Sequence, residues 1–389
     1  MSAAQGNILF SHSGGVSCLV NIVASTLHNH KDKQKLFICR NGISGLKAHQ
    51  WHLSDDFTHW QQIAQSPASA FGSSRVYVPN VTDNALFYEQ LFTQFKKDNI
   101  TTFLCNGGNQ SQNIVRRIHQ AAKALNFPLT CIGIPKTIDN DILQTDTCIG
   151  FGSAAKYTAI SMLEASLDLQ SMCHSASQVV IYQAMGRNSG WLAAASKLAS
   201  LISPNTPHMV LVPEADIQQT NILNYADDIL TKYNHLTICI AEGVSLGGDS
   251  NLPPGYQLNQ LIENHLNTQN HVVIPDYLQR SARHIASTTD IDQARQLTLE
   301  ALKLAKLGYS DIMTTIVREK DTPYLWSVGH IELEKVAGYE KKLPSHFIEE
   351  NQMNVNDTCI DFLKPLIQGE AYPTYLNGMP NYYPMKLWS

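Results

Sequence analysis

Short apolar runs and stretches of helical periodicity alternate along most of this chain, and that alternation restricts its fold more than any other feature. Runs rich in Val, Ile, Leu and Cys predict strands at NILF (7–10), KLFICR (35–40), TTFLC (101–105), PLTCIGI (128–134), QVVIYQAM (178–185), HMVLV (208–212) and LTICIAEG (236–243). Between them, Ile114, Val115, Ile118, Ala122 and Leu125 recur at helical spacing, and residues 154–168, 189–200 and 257–266 behave similarly. The pattern predicts an α/β fold, with parallel sheets covered by helices on both faces. Ligands in such folds sit beyond the carboxyl ends of the strands.

That rule directs attention to two glycine pairs. SHSGGV follows NILF and precedes a helical run, and NGGNQS follows TTFLC in the same way, so both read as strand-turn-helix junctions. Amides at a helix start, aided by the helix dipole, hold phosphate without basic side chains. Glycine is also the ordinary way to leave a strand, and either loop alone is open to that reading. Neither loop matches GxGxxG or the P-loop pattern, which disfavours a nucleotide site of the usual kinds.

Charge enters at GIPKTIDNDI, which follows PLTCIGI and so falls at the same open end of the sheet. One Lys and two Asp within six residues, beside phosphate-holding loops, suit phosphoryl transfer. One carboxylate can accept a proton from an attacking hydroxyl, another can hold a cation, and the ammonium offsets phosphate charge. An Asp/Asn-rich turn closed by a salt bridge is the alternative for these ten residues taken alone.

The whole chain narrows the partners. Its 389 residues, 43% hydrophobic and 16% charged, suffice for two medium cores, and a net charge of −5 without a dense Lys/Arg run argues against nucleic acid or an anionic membrane as partner. Small soluble ligands fit better. Eight scattered cysteines without a CxxC read as reduced core thiols of a cytoplasmic protein. The start, MSAAQGNILF, lacks the basic and apolar regions of a signal peptide, and WLAAASKLASLIS is too short to span a bilayer. His28, His30, His49 and His52 read as solvated histidines, since no Cys/Asp cluster accompanies them.

PKTIDND, preceded by NGGN and followed by FGSAAKYTA (151–159), MGRNSGW (185–191), AEGV (241–244) and DYLQRSARHIAS (276–287), resembles the phosphofructokinases, closest to their pyrophosphate-dependent branch. The resemblance is collinear from SHSGGV to LIQGEAYP and covers almost the whole chain. It implies two Rossmann-like three-layer α/β/α domains with the site between them. The implied activity is transfer of a phosphoryl group from pyrophosphate to the C1 hydroxyl of fructose 6-phosphate, giving fructose 1,6-bisphosphate and phosphate, with Mg²⁺ as cofactor.

The resemblance also implies roles. Asp139 matches the base for the sugar hydroxyl, Thr137 lies beside the transferred group, and Asp141 matches a metal-associated position. Gly14 and Gly15, Arg75, and the Gly107, Gly108, Asn109 and Gln110 loop match the donor side. Met185, Gly186, Arg187 and Glu242 match sugar contacts, and Tyr277 and Arg280 match the clamp on the 6-phosphate, where a guanidinium fork grips phosphate bidentately. Lys136 and Gln110 stand where ATP-using relatives carry Gly, filling the space of a nucleotide's α-phosphate and favouring a compact donor.

Departures from the family pattern lie in the same regions. GGNQS lacks the loop acid of GGDDS or GGNDS, and amide oxygens at Asn109 and Gln110 are poorer Mg²⁺ ligands than carboxylates. Gln178 and Gln183 stand where relatives tend to carry a base and an acid. These changes keep open a second reading, a catalytically weakened homologue that binds sugar phosphate as a regulatory subunit, and a third in which the acceptor is sedoheptulose 7-phosphate. The family pattern divides the chain into a donor domain, 1–143 with about 281–310, and a sugar-phosphate domain, 144–280 with about 311–389. It implies a homodimer or homotetramer in which a second subunit completes the sugar site near Gln178. SLGGDSNLPPGY (245–256) reads as a surface loop, and the aromatic end of the chain as a segment packed on the body or on a neighbour.

Overall fold

The computed structural model describes residues 6–247 and 251–384; residues 248–250 of the expected surface loop, and 385–389 at the chain end, lie outside them. In chain order the strands of the two main sheets are β1 (Asn7–His12), β2 (Leu36–Cys39), β3 (Trp51–Leu53), β4 (Ile100–Gly107), β5 (Thr130–Pro135), β6 (Val179–Ala184), β7 (Met209–Leu211), β8 (Leu236–Ala241), β9 (Asn270–Val273), β10 (Ile312–Lys320) and β11 (Leu325–Glu332). All seven apolar runs singled out in the sequence form strands.

The strands make two main sheets, ordered β11-β10-β5-β4-β1-β2-β3 and β7-β8-β6-β9. The second is parallel throughout, and the first is parallel apart from its antiparallel edges, β2–β3 and β10–β11. Alternate residues of the first sheet feed opposite faces. Ile8 and Phe10 pack with Leu27 and Leu297 from the helices Val20–His30 and Thr288–Lys306, whereas Leu9 and Phe103 pack with Phe95 and Ile118 from Ala85–Lys97 and Asn109–Ala124. The second sheet is sealed on both sides too: every residue of β6 and β8 is buried, and the long helix Phe151–Met172 joins their core. Both halves are therefore three-layer α/β/α arrangements.

One boundary differs from the expected division. Residues 312–332 form β10 and β11, and β10 pairs with β5 in the first sheet, while Leu343 to Leu366 join the second core. The expected assignment of everything after about residue 311 to the second half thus misplaces a hairpin. Its sequence, with charged Arg318, Glu319 and Lys320, is amphipathic because it closes a sheet edge. Near its end the chain returns to the first half, where Thr374 N donates to Gln65 and Tyr383 N to Ser66. Arg283 donates to Ala371 O at 2.5 Å on the way.

Among the described residues no helix is long and apolar enough to cross a membrane. All eight cysteines are free and buried, and burial pushes the Cys105 thiol up to about 12.

Candidate active site

Strand order reverses direction beside β1, whose connection runs to β2 on one side while β4 lies on the other, and again between β8 and β6. In folds of this kind a crevice forms at each such point, beyond the strand ends. The first crevice holds Ser13–Gly15 after β1, Gly107–Asn109 after β4 and Lys136–Asp141 after β5; the second holds Met185–Arg187 after β6 and Glu242 after β8. The two crevices meet where Ser189 Oγ donates to the Asp139 carbonyl at 2.8 Å.

At the first crevice the glycines have steric reasons. Gly14 takes a φ of 80°, and a Cβ on Gly107 would stand 2.0 Å from Ser111 Oγ. Gly108 caps the helix Asn109–Ala124, as expected for NGGN. SHSGGV departs from expectation, because Val16 to Leu19 intervene before the helix begins at Val20. Charge at this turn comes from side chains rather than from a helix start. Lys136, 3% exposed, donates to Ser13 O at 3.3 Å and to Gly15 O, and a Cβ on Gly15 would lie 3.4 Å from Arg280 Nη1 and 3.7 Å from Arg75 Nη2. Three cations, one expected on the sugar side, thus converge on the Gly14–Gly15 turn. Burial holds Lys136 down at about 8. Burial, then the Lys136 charge, pushes His12, at the end of β1, well below its usual range.

PKTIDND forms a tight turn. Asn140 takes a φ of 51° and accepts from Cys148 N at 3.1 Å, while Thr137 Oγ1 accepts from Asp139 N at 3.2 Å. Burial first, and the Asp141 and Glu242 carboxylates next, raise Asp139 to about 7; Lys136 and Arg187 act on it in the opposite sense. Asp139 therefore senses charges from both crevices. Asp141 is also raised, chiefly by burial. Asn109 Nδ2 donates to its carbonyl at 3.2 Å and to Oδ2 at 3.3 Å, which leaves Asp141 Oδ1 and Asn109 Oδ1 buried without protein partners. Gln110 is exposed in the first turn of its helix.

At the second crevice Glu242 Oε1 accepts from Gly186 N at 3.4 Å and lies 3.6 Å from Arg187 Nε. The Arg280 guanidinium stacks 4.1 Å over the Tyr277 ring, beside Asp276 with its left-handed φ of 42°. Two residues not expected at the site also take part: Gln279, 2% exposed, accepts from Met185 N at 3.1 Å, and Ser189 bonds the Asp139 carbonyl. Both lie within the motifs MGRNSGW and DYLQRSARHIAS, but residue type alone does not show their use, since each acts through a contact distant in sequence.

The glutamines sort differently from expectation. Gln183 is buried and accepts from Gly255 N at 2.9 Å, a joint that an amide oxygen makes as well as a carboxylate. Gln178 precedes β6 and donates to Asn234 at 3.4 Å, at the strand end opposite Met185 and roughly 20 Å away at about 3.3 Å per residue. Of the three, only Gln178 lies at the strand end away from the crevices.

Comparison with known proteins agrees with this geometry. The sequence profile of the family described as Phosphofructokinase matches residues 7–305. The pyrophosphate–fructose 6-phosphate 1-phosphotransferase of Xanthomonas campestris is 36% identical, aligned over 98% of this chain and 96% of its own, and that of Halomonas elongata is 35% identical over 97% and 95%. A crystal structure of the pyrophosphate-dependent phosphofructokinase from Nitrosospira multiformis superposes with a TM-score of 0.92 at 35% identity, covering 98% of this chain and 96% of that one. With three-quarters of its length inside the profile and full-length relatives above a third identical, the chain belongs to the phosphofructokinase family.

Proposed function

We propose that this chain transfers a phosphoryl group from pyrophosphate to the C1 hydroxyl of fructose 6-phosphate. The observation that carries this reading is Asp139, one carboxylate raised to about 7 that couples both to Lys136 on the cation-lined turn and to Arg187 and Glu242 on the other crevice. A base poised near neutral pH suits abstraction of a hydroxyl proton.

In this reading Lys136, Arg75 and Arg280, with the Gly14–Gly15 and Gly107–Asn109 backbone, hold the donor. Met185, Gly186, Arg187 and Glu242 orient the sugar, and Tyr277 with Arg280 faces its 6-phosphate. Asp139 accepts the C1 hydroxyl proton as the new O–P bond forms and the P–O–P bridge breaks, with Thr137 alongside and the cations taking up charge on departing phosphate. Because Lys136 fills space beside Gly14, a compact donor is favoured over a nucleotide.

Mg²⁺ fits the two orphaned oxygens, Asp141 Oδ1 and Asn109 Oδ1. The ion keeps several waters and shares substrate phosphates, so one carboxylate from the chain is enough. It would offset charge on the transferring group. Among the described residues no three His, Cys, Asp or Glu side chains gather into a metal cage, which makes occupancy dependent on bound phosphate. Gln110→Asp adds a carboxylate at the exposed first turn of a helix, where negative charge is favoured. The Mg²⁺ concentration for half-maximal rate should fall by about threefold or more; an unchanged value would remove the metal from this helix start.

Assembly into a dimer or tetramer, with Gln178 facing a neighbour's sugar site, and work in the cytoplasm complete the proposal, as does division into donor and sugar halves. The direct test is fructose 1,6-bisphosphate formation with pyrophosphate or ATP. Turnover with pyrophosphate at the higher kcat/KM supports the reading, and a clear preference for ATP ends it.

A further inference from the structure

Outside the motifs, one short segment touches both crevices. After the turn Leu333–Lys335, which packs on the first sheet, residues 340–343 (EKKL) run between the Asp139 loop and the MGRNSG loop. On the first side, Glu340 forms an antiparallel bridge with Ile142, Lys341 N donates to Asp141 O at 2.8 Å, and Lys341 Nζ donates to Thr145 O and Asp146 O, each at 2.9 Å. On the second side, Asn188 Nδ2 donates to Glu340 Oε1 at 2.7 Å and Lys342 Nζ donates to Asn188 O. Leu343 N reaches Glu214 Oε1 at 2.9 Å, and the same carboxylate accepts from Gly190 N at 3.1 Å. Between these sets the Lys341 ammonium lies 5.3 Å from the Trp191 ring.

We propose that residues 340–343 form a strap that fixes the spacing between the base-bearing loop and the sugar loop, with Glu340 and Asn188 as its positioning pair. The two loops also meet directly, where Ser189 Oγ donates to the Asp139 carbonyl and Ile138 packs into the second core. The strap supplies contacts along both edges and so sets the angle at which Arg187 and Met185 meet Asp139. Misplacement of reacting groups by about 1 Å costs rate steeply, even when the change lies away from the chemistry.

The inference rests on the proposed acceptor site, so its test needs one readout that does not. In the full chain, Glu340→Ala should speed amide hydrogen exchange in residues 139–146 and 186–190 while the rest of both sheets keeps its protection. Unchanged exchange in those loops overturns the strap, whatever the chain binds. Kinetically, Glu340→Ala and Asn188→Ala should each raise KM for fructose 6-phosphate about fivefold or more and leave KM for pyrophosphate within about twofold. The double variant should be no worse than the poorer single one, because one shared bond is lost, and Glu340→Gln, which keeps an acceptor oxygen for Asn188, should restore most of the loss. Additive effects, or equal shifts for both substrates, would overturn the pairing. Calorimetric binding of fructose 6-phosphate to the wild-type chain separates the two ideas: absence of binding sinks the acceptor assignment, while altered exchange on its own still reports the strap.

Discussion

Asp139→Asn should lower kcat for fructose 1,6-bisphosphate formation by about 10²–10⁴-fold, the usual contribution of a positioned general base. KM for both substrates should move little, because the amide keeps the size and polarity of the carboxylate. The pH profile is the sharper check. Since Asp139 must be ionised to accept a proton and is raised to about 7, kcat/KM should climb as pH passes through about 7, and the variant should lose that limb. Stability runs the other way. The folded chain keeps a proton on Asp139 between the ordinary 3.8 and about 7, where the unfolded chain has released it, so stability falls as pH rises through that window. Asn carries no charge to bury, and at pH 8 the variant should melt higher than wild type by about 2–4 °C. A slower but more heat-resistant variant is the expected pair of results; unchanged turnover would remove Asp139 from the chemistry.

The second large effect belongs to Lys136→Met, which keeps most of the buried volume and removes the charge. Loss of one preorganised cation aimed at transferring phosphate should reduce kcat/KM for pyrophosphate by about 10²–10³-fold, with a much smaller change in fructose 6-phosphate binding. Because burial holds Lys136 at about 8, its positive charge fades as pH rises past that value. Wild-type kcat/KM should therefore be bell-shaped, with limbs near 7 and 8 that belong to the interacting Asp139–Lys136 pair, and the variant should lose the alkaline fall. Retention of pyrophosphate use within about threefold in Lys136→Met would mean that Arg75 and Arg280 hold the donor alone.

How much of this was legible beforehand depended on where each residue's partner lay. Strands sealed on both faces, such as β6 and β8, announce themselves as continuous apolar runs. The edge strands β3 and β9 are short, and β10 and β11 mix charged residues with apolar ones, so their signal is weaker than that of a continuous apolar run. Likewise PKTIDND concentrates its Lys and Asp in one turn and was readable, whereas Arg280 approaching Gly15, Ser189 bonding Asp139 and Glu340 bonding Asn188 join segments that only the fold brings together. Gln178 shows the opposite risk. Seven positions from Met185 along an extended strand is near in sequence and far in space, so Gln178 does not share a crevice with Gln110 within a single chain.

The path by which the chain shuttles between its halves has a consequence for biosynthesis. Ile132 on β5 meets its β10 partner Ile312 only after the whole second sheet has been made, that half in turn waits for Leu343 to Leu366, and the last described residues return to Gln65 and Ser66. Neither half is complete as a nascent fragment, and long-range parallel pairing forms slowly. On the ribosome the first sheet therefore waits with the β5 edge unpaired until β10 is made, and the second half waits for the segment from Leu343 to Leu366 that completes its core. A stalled or truncated product would expose parallel strand edges rather than fold into a smaller enzyme.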